Sequence, residues 1–150
     1  MNIRILARVA TYDQKENKIL LVKNKGTNFW YAPGGGWEQN KENILECAKR
    51  EVKEEAGIDV EIMRLLYVQE FHATPDTIFF ETFWLAKPTG DKSINELHID
   101  LDPNGAVEKA QWFSQSELQD LKIFPKRLKI TFWENIDSIL NSENPFIGVS

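Results

Sequence analysis

Apolar and polar positions partly alternate along two segments near the start of the chain, residues 3–12 and residues 19–25. A polar run separates them, so the pattern predicts two strands joined as a β-hairpin. Residues 58–72 and residues 77–87 are similarly rich in β-branched and aromatic residues. They predict two longer strands connected by a turn at residues 73–76.

Helical spacing of apolar residues is confined to two other parts of the sequence. Apolar residues recur three or four positions apart from residue 42 to residue 56, without Pro or Gly between them. Gly57 follows directly and predicts the left-handed conformation that ends many helices. Residues 125–141 predict a closing helix. Ser114 with Glu117 three residues later is a capping-box pattern and predicts another helix start.

Two segments show neither periodicity, and both are predicted to be loops. Residues 26–41 concentrate Gly, Pro and aromatic residues, whereas residues 88–106 are polar with Pro and Gly turns. Residues 107–113 predict a short strand before the last helical region. The order of strands, helix, strands and helix predicts an α+β fold, an α/β/α sandwich with a mixed β-sheet. With 150 residues, the chain is expected to form one domain over residues 1–150.

Charge and composition exclude several classes of partner. The formal net charge of −5 argues against a nucleic-acid polymer as partner, because such binding depends on Lys and Arg neutralising phosphates. Cys47 is the only cysteine, so an intramolecular disulfide is impossible, and a reducing compartment is expected. The N-terminus lacks a signal-peptide pattern, and no apolar run approaches the roughly 18 residues that span a bilayer. We therefore expect a cytoplasmic protein without a membrane partner.

Three carboxylates on the first predicted helix are the strongest candidates for chemistry. Glu51, Glu54 and Glu55 are spaced i, i+3 and i+4, which places like charges together on one face at a cost in helix stability. On a helical wheel they lie beside the apolar stripe rather than opposite it. Two interpretations follow: a solvated acidic surface, or a site for a hard cation such as Mg²⁺ or Mn²⁺.

The residues around these glutamates favour the second interpretation. The spacing follows the Nudix box, G-x5-E-x7-R-E-U-x-E-E-x-G-U with U a bulky aliphatic residue, so the chain resembles the Nudix hydrolases. The matching residues are Gly36, Glu42, Arg50, Glu51, Val52, Glu54, Glu55, Gly57 and Ile58. The resemblance implies an α/β/α sandwich and hydrolysis of a nucleoside diphosphate linked to another group. Further likeness is visible in the glycine loop before the box and in residues 110–118.

The glycine loop departs from the family pattern. It carries one more residue before Glu42 than is usual and lacks the inner glycine, so either Gly36 or Gly35 holds the position of the family's box glycine. The family uses a backbone carbonyl before that glycine as a metal ligand. The resemblance therefore implies the carbonyl of Gly35 as this ligand, with Gly34 as the alternative.

Further roles are also carried over from the resemblance. Glu51, Glu54 and Glu55 are implied as metal ligands, Glu54 and Glu55 also as catalytic residues, and Arg50 as the arginine that orients a box glutamate. The general base is either a box glutamate or a later acid, for which Glu108, Asp100 and Asp102 are the candidates, with Glu108 preferred. Arg8, Trp30 and Tyr31 are candidates for substrate binding because they combine a cation with aromatic rings near the glycine loop.

The sequence leaves the substrate class open. Nucleoside triphosphates, including modified ones, are the leading hypothesis, and ADP-ribose or a nucleotide sugar is the alternative. A non-catalytic Nudix domain that senses a nucleotide is a second hypothesis, although this chain retains every box glutamate. A partner-binding protein that uses its five tryptophans is a third. Each reading involves a small-molecule nucleotide or a protein partner, and a homodimer is left open.

Overall fold

Eight β-strands and two α-helices form the fold in residues 1–89 and 96–150, the part of the chain that the computed structural model describes. The strands are β1 (Asn2–Asp13), β2 (Lys18–Asn24), β3 (Phe29–Tyr31), β4 (Gly34–Gly36), β5 (Val60–Thr74), β6 (Thr77–Pro88), β7 (Val107–Phe113) and β8 (Lys122–Phe124). The helices are α1 (Ile44–Ala56) and α2 (Thr131–Leu140), with single 3₁₀ turns at Ser116–Leu118 and Lys126–Leu128. No helix among these residues is long and apolar enough to cross a membrane.

The long strand β1 connects the two halves of a mixed sheet whose main order is β5-β6-β1-β2-β3-β8. It runs parallel to β6 from Asn2 to Thr11 and antiparallel to β4 from Leu6 to Arg8. The predicted hairpin of β1 and β2 is present, but the two strands pair only next to their turn, at Tyr12 and Asp13. Beyond that point β2 pairs with β3 and β7 instead.

Successive residues of the central strands face two separate hydrophobic cores. Leu20 and Val22 of β2 pack into the core that contains the buried face of α1, while Ile19 and Leu21 pack into the core that contains α2. This alternation is the two-residue period of a strand with both faces covered. One helix therefore lies on each side of the mixed sheet, which confirms the predicted α/β/α sandwich.

Helix α1 begins and ends where its flanking residues satisfy the free backbone groups. Asn43 accepts a hydrogen bond from the backbone N–H of Glu46, whose side chain in turn accepts from the N–H of Asn43, a complete capping box. The helix consequently starts at Ile44 rather than at residue 42. Gly57 has a φ of 76° and donates its N–H to the carbonyl of Lys53, as predicted for the helix C-terminus.

Three short strands, β3, β4 and β8, lie where the sequence predicted no strand. Residues 26–41 contain β3 and β4, because Trp30 pairs with β2 and the glycines allow β4 to lie against β1. A Cβ atom on Gly34 would lie 2.3 Å from the carbonyl oxygen of Ala7, so that pairing requires glycine. The helix predicted from Ser114 is a single 3₁₀ turn followed by β8, and the closing helix starts only at Thr131.

The long loop predicted at residues 88–106 is only partly described, because residues 90–95 lie outside the described residues. The described flank, residues 96–106, contains no helix or strand. It packs against the end of α1, where the N–H of His98 donates to the carbonyl of Ala56.

Candidate functional site

Arg50 lies at the centre of the carboxylate group on α1. Its Nε and Nη2 donate to the two carboxylate oxygens of Glu42 at 2.9 and 2.8 Å, a two-pronged ion pair. Its Nη1 donates to Glu51 at 2.9 Å and to Glu54 at 3.2 Å. Nη2 also donates to the carbonyl of Gly36 at 3.1 Å, which links the helix to β4. One guanidinium thus offsets the repulsion among three carboxylates.

Glu42 is held in its charged form by this arrangement. The hydrogen bond from Arg50 lowers the pKa of Glu42, and the N–H of Glu38 adds a further hydrogen bond to its carboxylate at 3.1 Å. The same contact with Glu42 raises the pKa of Arg50, so the guanidinium stays charged. Glu42 therefore supports the site through Arg50 rather than through an open carboxylate face.

Glu55 is a largely desolvated carboxylate beside β4. Burial raises its pKa to about 8, against the opposing effect of a hydrogen bond from the backbone N–H of Gly34 at 3.1 Å. Glu51 also has a pKa raised by burial, while the charge of Arg50 lowers it. Such buried carboxylates are poorly solvated as anions, and a nearby cation would favour their charged forms.

The glycines of β4 allow the carboxylates to approach the backbone. A Cβ atom on Gly35 would lie 2.6 Å from a carboxylate oxygen of Glu51, so the present position of this side chain against β4 depends on glycine at residue 35. Cys47, one turn before Glu51, is buried beneath the carbonyls of Gly35 and Gly36. Burial raises the pKa of the Cys47 thiol to about 12, consistent with a packing role.

These groups line one open cleft of about 420 Å³, which we call the carboxylate cleft. It is bounded by β4, α1 and the loop that precedes β7. Its residues include eight that the sequence singled out: Gly34, Gly35, Gly36, Arg50, Glu51, Glu54, Glu55 and Asp102. Asp102 lines the opposite wall, where its carboxylate accepts hydrogen bonds from the N–H groups of Ala106 and Val107 at 2.7 and 3.0 Å. The cleft is therefore predominantly acidic, with Arg50 and Arg4 as its cations.

The donor chemistry of the cleft fits a hard divalent cation, since carboxylate and carbonyl oxygens are the ligands that such ions take. Among the described residues, however, no three His, Cys, Asp or Glu side chains converge closely enough to hold one. The hydrogen bonds explain this: Arg50 draws Glu51 and Glu54 toward itself, while Glu55 turns to the N–H of Gly34. The ligand types and their common cleft fit a metal, whereas in their present orientations Glu51 and Glu54 accept hydrogen bonds from Arg50.

Arg8 lies next to this cleft but on another strand. It faces Gly34 across the β1–β4 pairing, and its Nε donates to the buried carboxylate of Glu81 at 2.6 Å. Its guanidinium also lies 5.5 Å from the centre of the Phe124 ring. The charge of Arg8 reaches the site, because it partly offsets the rise in the pKa of Glu55.

The two aromatic candidates near the glycine loop do not line the carboxylate cleft. Trp30 is buried in the core on the α2 side, where its ring meets Phe113 edge to face at 4.8 Å between centres. Tyr31 points to the opposite side and packs against the core beneath α1. Packing thus accounts for both rings, as is usual for aromatic residues in strands.

The later acids also take up separate positions. The Glu108 carboxylate forms an ion pair with Lys23 at 2.6 Å on the surface of β7 and β2, and this contact lowers its pKa. Among the residues that line the carboxylate cleft, Asp102 is included but Glu108 and Asp100 are not. The structure therefore does not bring Glu108 to the box glutamates.

A second cleft, which the sequence did not indicate, lies on the other side of Arg8. We call it the aromatic cleft; it has a volume of about 510 Å³, and its lining includes Tyr67, Phe83, Phe124 and Arg127. The Arg127 guanidinium lies 5.0 Å from the centre of the Tyr67 ring. Its residues come from β5, β6, β8 and the segment after β8, so only the folded sheet brings them together.

Comparison with known proteins agrees with the geometry. A family model described as the NUDIX domain matches residues 3–133. The human 8-oxo-dGDP phosphatase NUDT18 is 32% identical over 113 residues, which cover 73% of this chain and 32% of that protein. The NAD-capped RNA hydrolase ndx-9 of Caenorhabditis elegans is 27% identical over 109 residues, 72% of this chain and 27% of that protein.

Solved structures show the same fold. The MutT NUDIX hydrolase from Burkholderia pseudomallei superposes with a TM-score of 0.67 at 23% identity, covering 87% of this chain and 98% of that one. The chain spans about a third of the length of the curated relatives it matches first, since it covers 32% of NUDT18.

Proposed function

Because this chain belongs to the NUDIX family, we propose that it is a divalent-metal-dependent pyrophosphohydrolase that cleaves a nucleoside diphosphate linked to another group. Nucleoside triphosphates, including modified ones, are the leading substrates in this proposal, and ADP-ribose or a nucleotide sugar is the alternative. The observation that carries it is that Glu51, Glu54, Glu55, Arg50 and Gly35 all line one cleft. The relatives named above, an 8-oxo-dGDP phosphatase and an NAD-capped RNA hydrolase, support a nucleotide substrate.

We propose that the metal is Mg²⁺ or Mn²⁺, in line with the general use of divalent ions by Nudix hydrolases. Glu51, Glu54, Glu55 and the carbonyl of Gly35 would hold it. Once bound, such an ion polarises a phosphoryl oxygen and lowers the pKa of a coordinated water. Arg50 would release at least part of its contact with Glu51 and Glu54 when these carboxylates turn to the ion.

The remaining roles belong to side chains of the two clefts. In the reaction, the oxygen of a water attacks phosphorus, the bond from phosphorus to the bridging oxygen breaks, and Glu54 or Glu55 accepts the water proton. Arg8 lines neither cleft, but it pairs with Gly34 of the carboxylate cleft and packs against Phe124 of the aromatic cleft. In this proposal it contacts a phosphate while the nucleoside extends into the aromatic cleft. We do not propose Glu108 as the base, because its carboxylate is paired with Lys23 outside the cleft.

A nucleotide panel tests this proposal. Release of phosphate or pyrophosphate would be followed with a coupled assay on nucleoside triphosphates, oxidised nucleotides, ADP-ribose and nucleotide sugars, with Mg²⁺, with Mn²⁺ and with EDTA. We expect metal-dependent turnover of at least one substrate. Glu54→Gln should lower kcat/KM at least about 100-fold, because even residues behind a metal ligand typically contribute 10–100-fold. The matched control is Glu61→Gln on β5, an exposed acid paired with Lys87 away from the clefts.

Turnover by Glu54→Gln at the wild-type rate, or metal-independent turnover, would contradict the proposed site. Nucleotide binding without turnover of any substrate would support the sensing hypothesis instead. A cytoplasmic location is also a proposal, supported by the single buried cysteine, and fractionation of the source cells would test it.

A further inference from the structure

The segment that forms β8 and the turn after it has a charge opposite to that of the whole chain. Residues 122–129 contain Lys122, Lys126, Arg127 and Lys129 and no acidic residue, although the chain as a whole carries a net charge of −5. The net charge of the whole chain conceals this local excess of positive charge. The sequence-based argument against a nucleic-acid partner therefore does not apply to this surface.

These cations surround an open groove of about 540 Å³, which we call the basic groove. Its lining combines Lys122, Lys126 and Lys129 with the apolar residues Phe29 and Ile130. Phe29 is 44% exposed and Ile130 is 51% exposed, so apolar surface lies open between the lysines. Lys129 is held in place by a hydrogen bond from its Nζ to the carbonyl of Leu121 at 2.8 Å.

An exposed ring lies among the cations of this groove. The Lys122 ammonium lies 5.8 Å from the centre of the Phe29 ring, across the parallel pairing of β3 and β8. A cationic groove with an accessible aromatic ring is the combination by which proteins bind single-stranded nucleic acid: cations contact the phosphates and bases stack on rings. We propose that the basic groove binds single-stranded nucleic acid.

The groove favours this partner over an acidic peptide. Lysines alone would suit any polyanion, but an acidic peptide offers no flat ring to cover Phe29. Lys126 lines both the basic groove and the aromatic cleft, so the two cavities share a wall. Binding at this surface is distinct from hydrolysis, because the groove contains none of the residues that line the carboxylate cleft.

Fluorescence anisotropy with a labelled 12-nucleotide oligo(dT) or oligo(U), in EDTA to prevent turnover, tests the proposal. We expect wild-type binding that weakens steeply with salt. Lys122→Ala/Lys126→Ala should reduce the slope of log Kd against log salt by about 1.4, at roughly 0.7 per phosphate contact on a single strand. Phe29→Ala should weaken binding about tenfold by loss of a stacked base.

A matched double variant, Lys15→Ala/Lys49→Ala, removes the same charge from exposed lysines elsewhere and should leave binding unchanged. Circular dichroism would establish that each variant is folded. Absence of wild-type binding, an equal loss in the matched variant, or full binding by folded Lys122→Ala/Lys126→Ala would overturn the proposal. So would equal competition by poly-glutamate together with unchanged binding by Phe29→Ala, which would indicate a general polyanion surface. Each of these outcomes is independent of whether nucleotides are hydrolysed.

Discussion

Glu42 and Arg50 lie eight residues apart and form a two-pronged ion pair, with 2.9 Å from Nε to Oε2 and 2.8 Å from Nη2 to Oε1. The Glu42 side chain is only 8% exposed and that of Arg50 is 25% exposed, so solvent screens the pair weakly. A planar guanidinium matches a carboxylate in this way, and an ammonium does not. The pair holds the Arg50 guanidinium in place, and Arg50 in turn donates hydrogen bonds to Glu51 and Glu54.

Arg50→Lys should therefore destabilise the protein despite keeping the charge. We expect the free energy of unfolding to fall by about 1–3 kcal/mol, because Glu42 loses one of two charge-assisted hydrogen bonds in a buried setting. Urea denaturation measures the change. Lys49→Arg, on the exposed side of the same helix, serves as control and should shift the value by less than about 0.5 kcal/mol. Equal effects of the two substitutions would show that the two-pronged contact of the guanidinium with Glu42 does not contribute to stability.

The raised pKa of Glu55 predicts a pH dependence of stability without metal. Its pKa is about 8 when folded and near its usual value of about 4.3 when unfolded, so the folded protein binds the extra proton between these limits. The free energy of unfolding should consequently fall as pH rises from about 5 to 8, by at most about 1.4 kcal/mol per pH unit for one proton.

Glu55→Gln removes this titrating group and should flatten the slope between pH 5 and 8, as measured by urea denaturation in EDTA at each pH. Burial raises the pKa of Glu51 in the same direction, so a residual slope from that side chain is expected. An unchanged slope in Glu55→Gln would show that this side chain titrates normally in the folded protein.

Divalent metal should raise the thermal stability of the protein. Ligands that bind only the folded state stabilise it by RT ln(1 + [L]/Kd), which is about 2.7 kcal/mol at a hundredfold excess over Kd. We expect Mg²⁺ or Mn²⁺ to raise Tm, and Glu51→Gln to reduce that rise. Differential scanning fluorimetry measures both, with Glu61→Gln as the charge-matched control. A metal titration that leaves every melting curve unmoved would argue against a metal site at these carboxylates.

Gly35→Ala should impair hydrolysis more than folding. The added Cβ atom would lie 2.6 Å from a carboxylate oxygen of Glu51, so we expect this side chain to shift from its present position. We expect kcat/KM to fall at least about tenfold, because small displacements of positioning groups have large kinetic effects. Gly26→Asn is the control, since no atom lies within 4 Å of a Cβ there and Asn tolerates its φ of 75°. Normal turnover by Gly35→Ala would mean that the close approach of β4 to Glu51 is unnecessary.

Features fixed by local spacing were predictable from the sequence. Helix α1, its end at Gly57 and the common face of Glu51, Glu54 and Glu55 all follow from a helical period and a motif within a few turns. The two long strands β5 and β6 and the turn between them follow from composition in the same way. The strand β2 is likewise predictable from its apolar run at residues 19–22, whose successive side chains enter the two cores.

Features that depend on contacts between distant residues were not predictable from the sequence. Strands β3 and β8 have three residues each and exist because Phe29 pairs with Lys122. The ion pair of Arg8 with Glu81 joins residues 73 apart, and that of Lys23 with Glu108 joins residues 85 apart. The local sequence pattern around these residues does not encode such long-range pairings. The aromatic cleft and the position of Glu108 therefore became apparent only from the fold.

The position of Arg8 on β1 makes the two clefts depend on a single strand register. Arg8 faces Gly34 on β4 and Phe83 on β6, so a slip of one residue would exchange it for Ala7 and turn the guanidinium toward α1. A chain cut before β6 would keep every residue of the Nudix box and yet lack the strand that aligns β1. The Nudix box alone is therefore insufficient for a working site. Hydrolytic activity would indicate that β1 has paired with both β4 and β6.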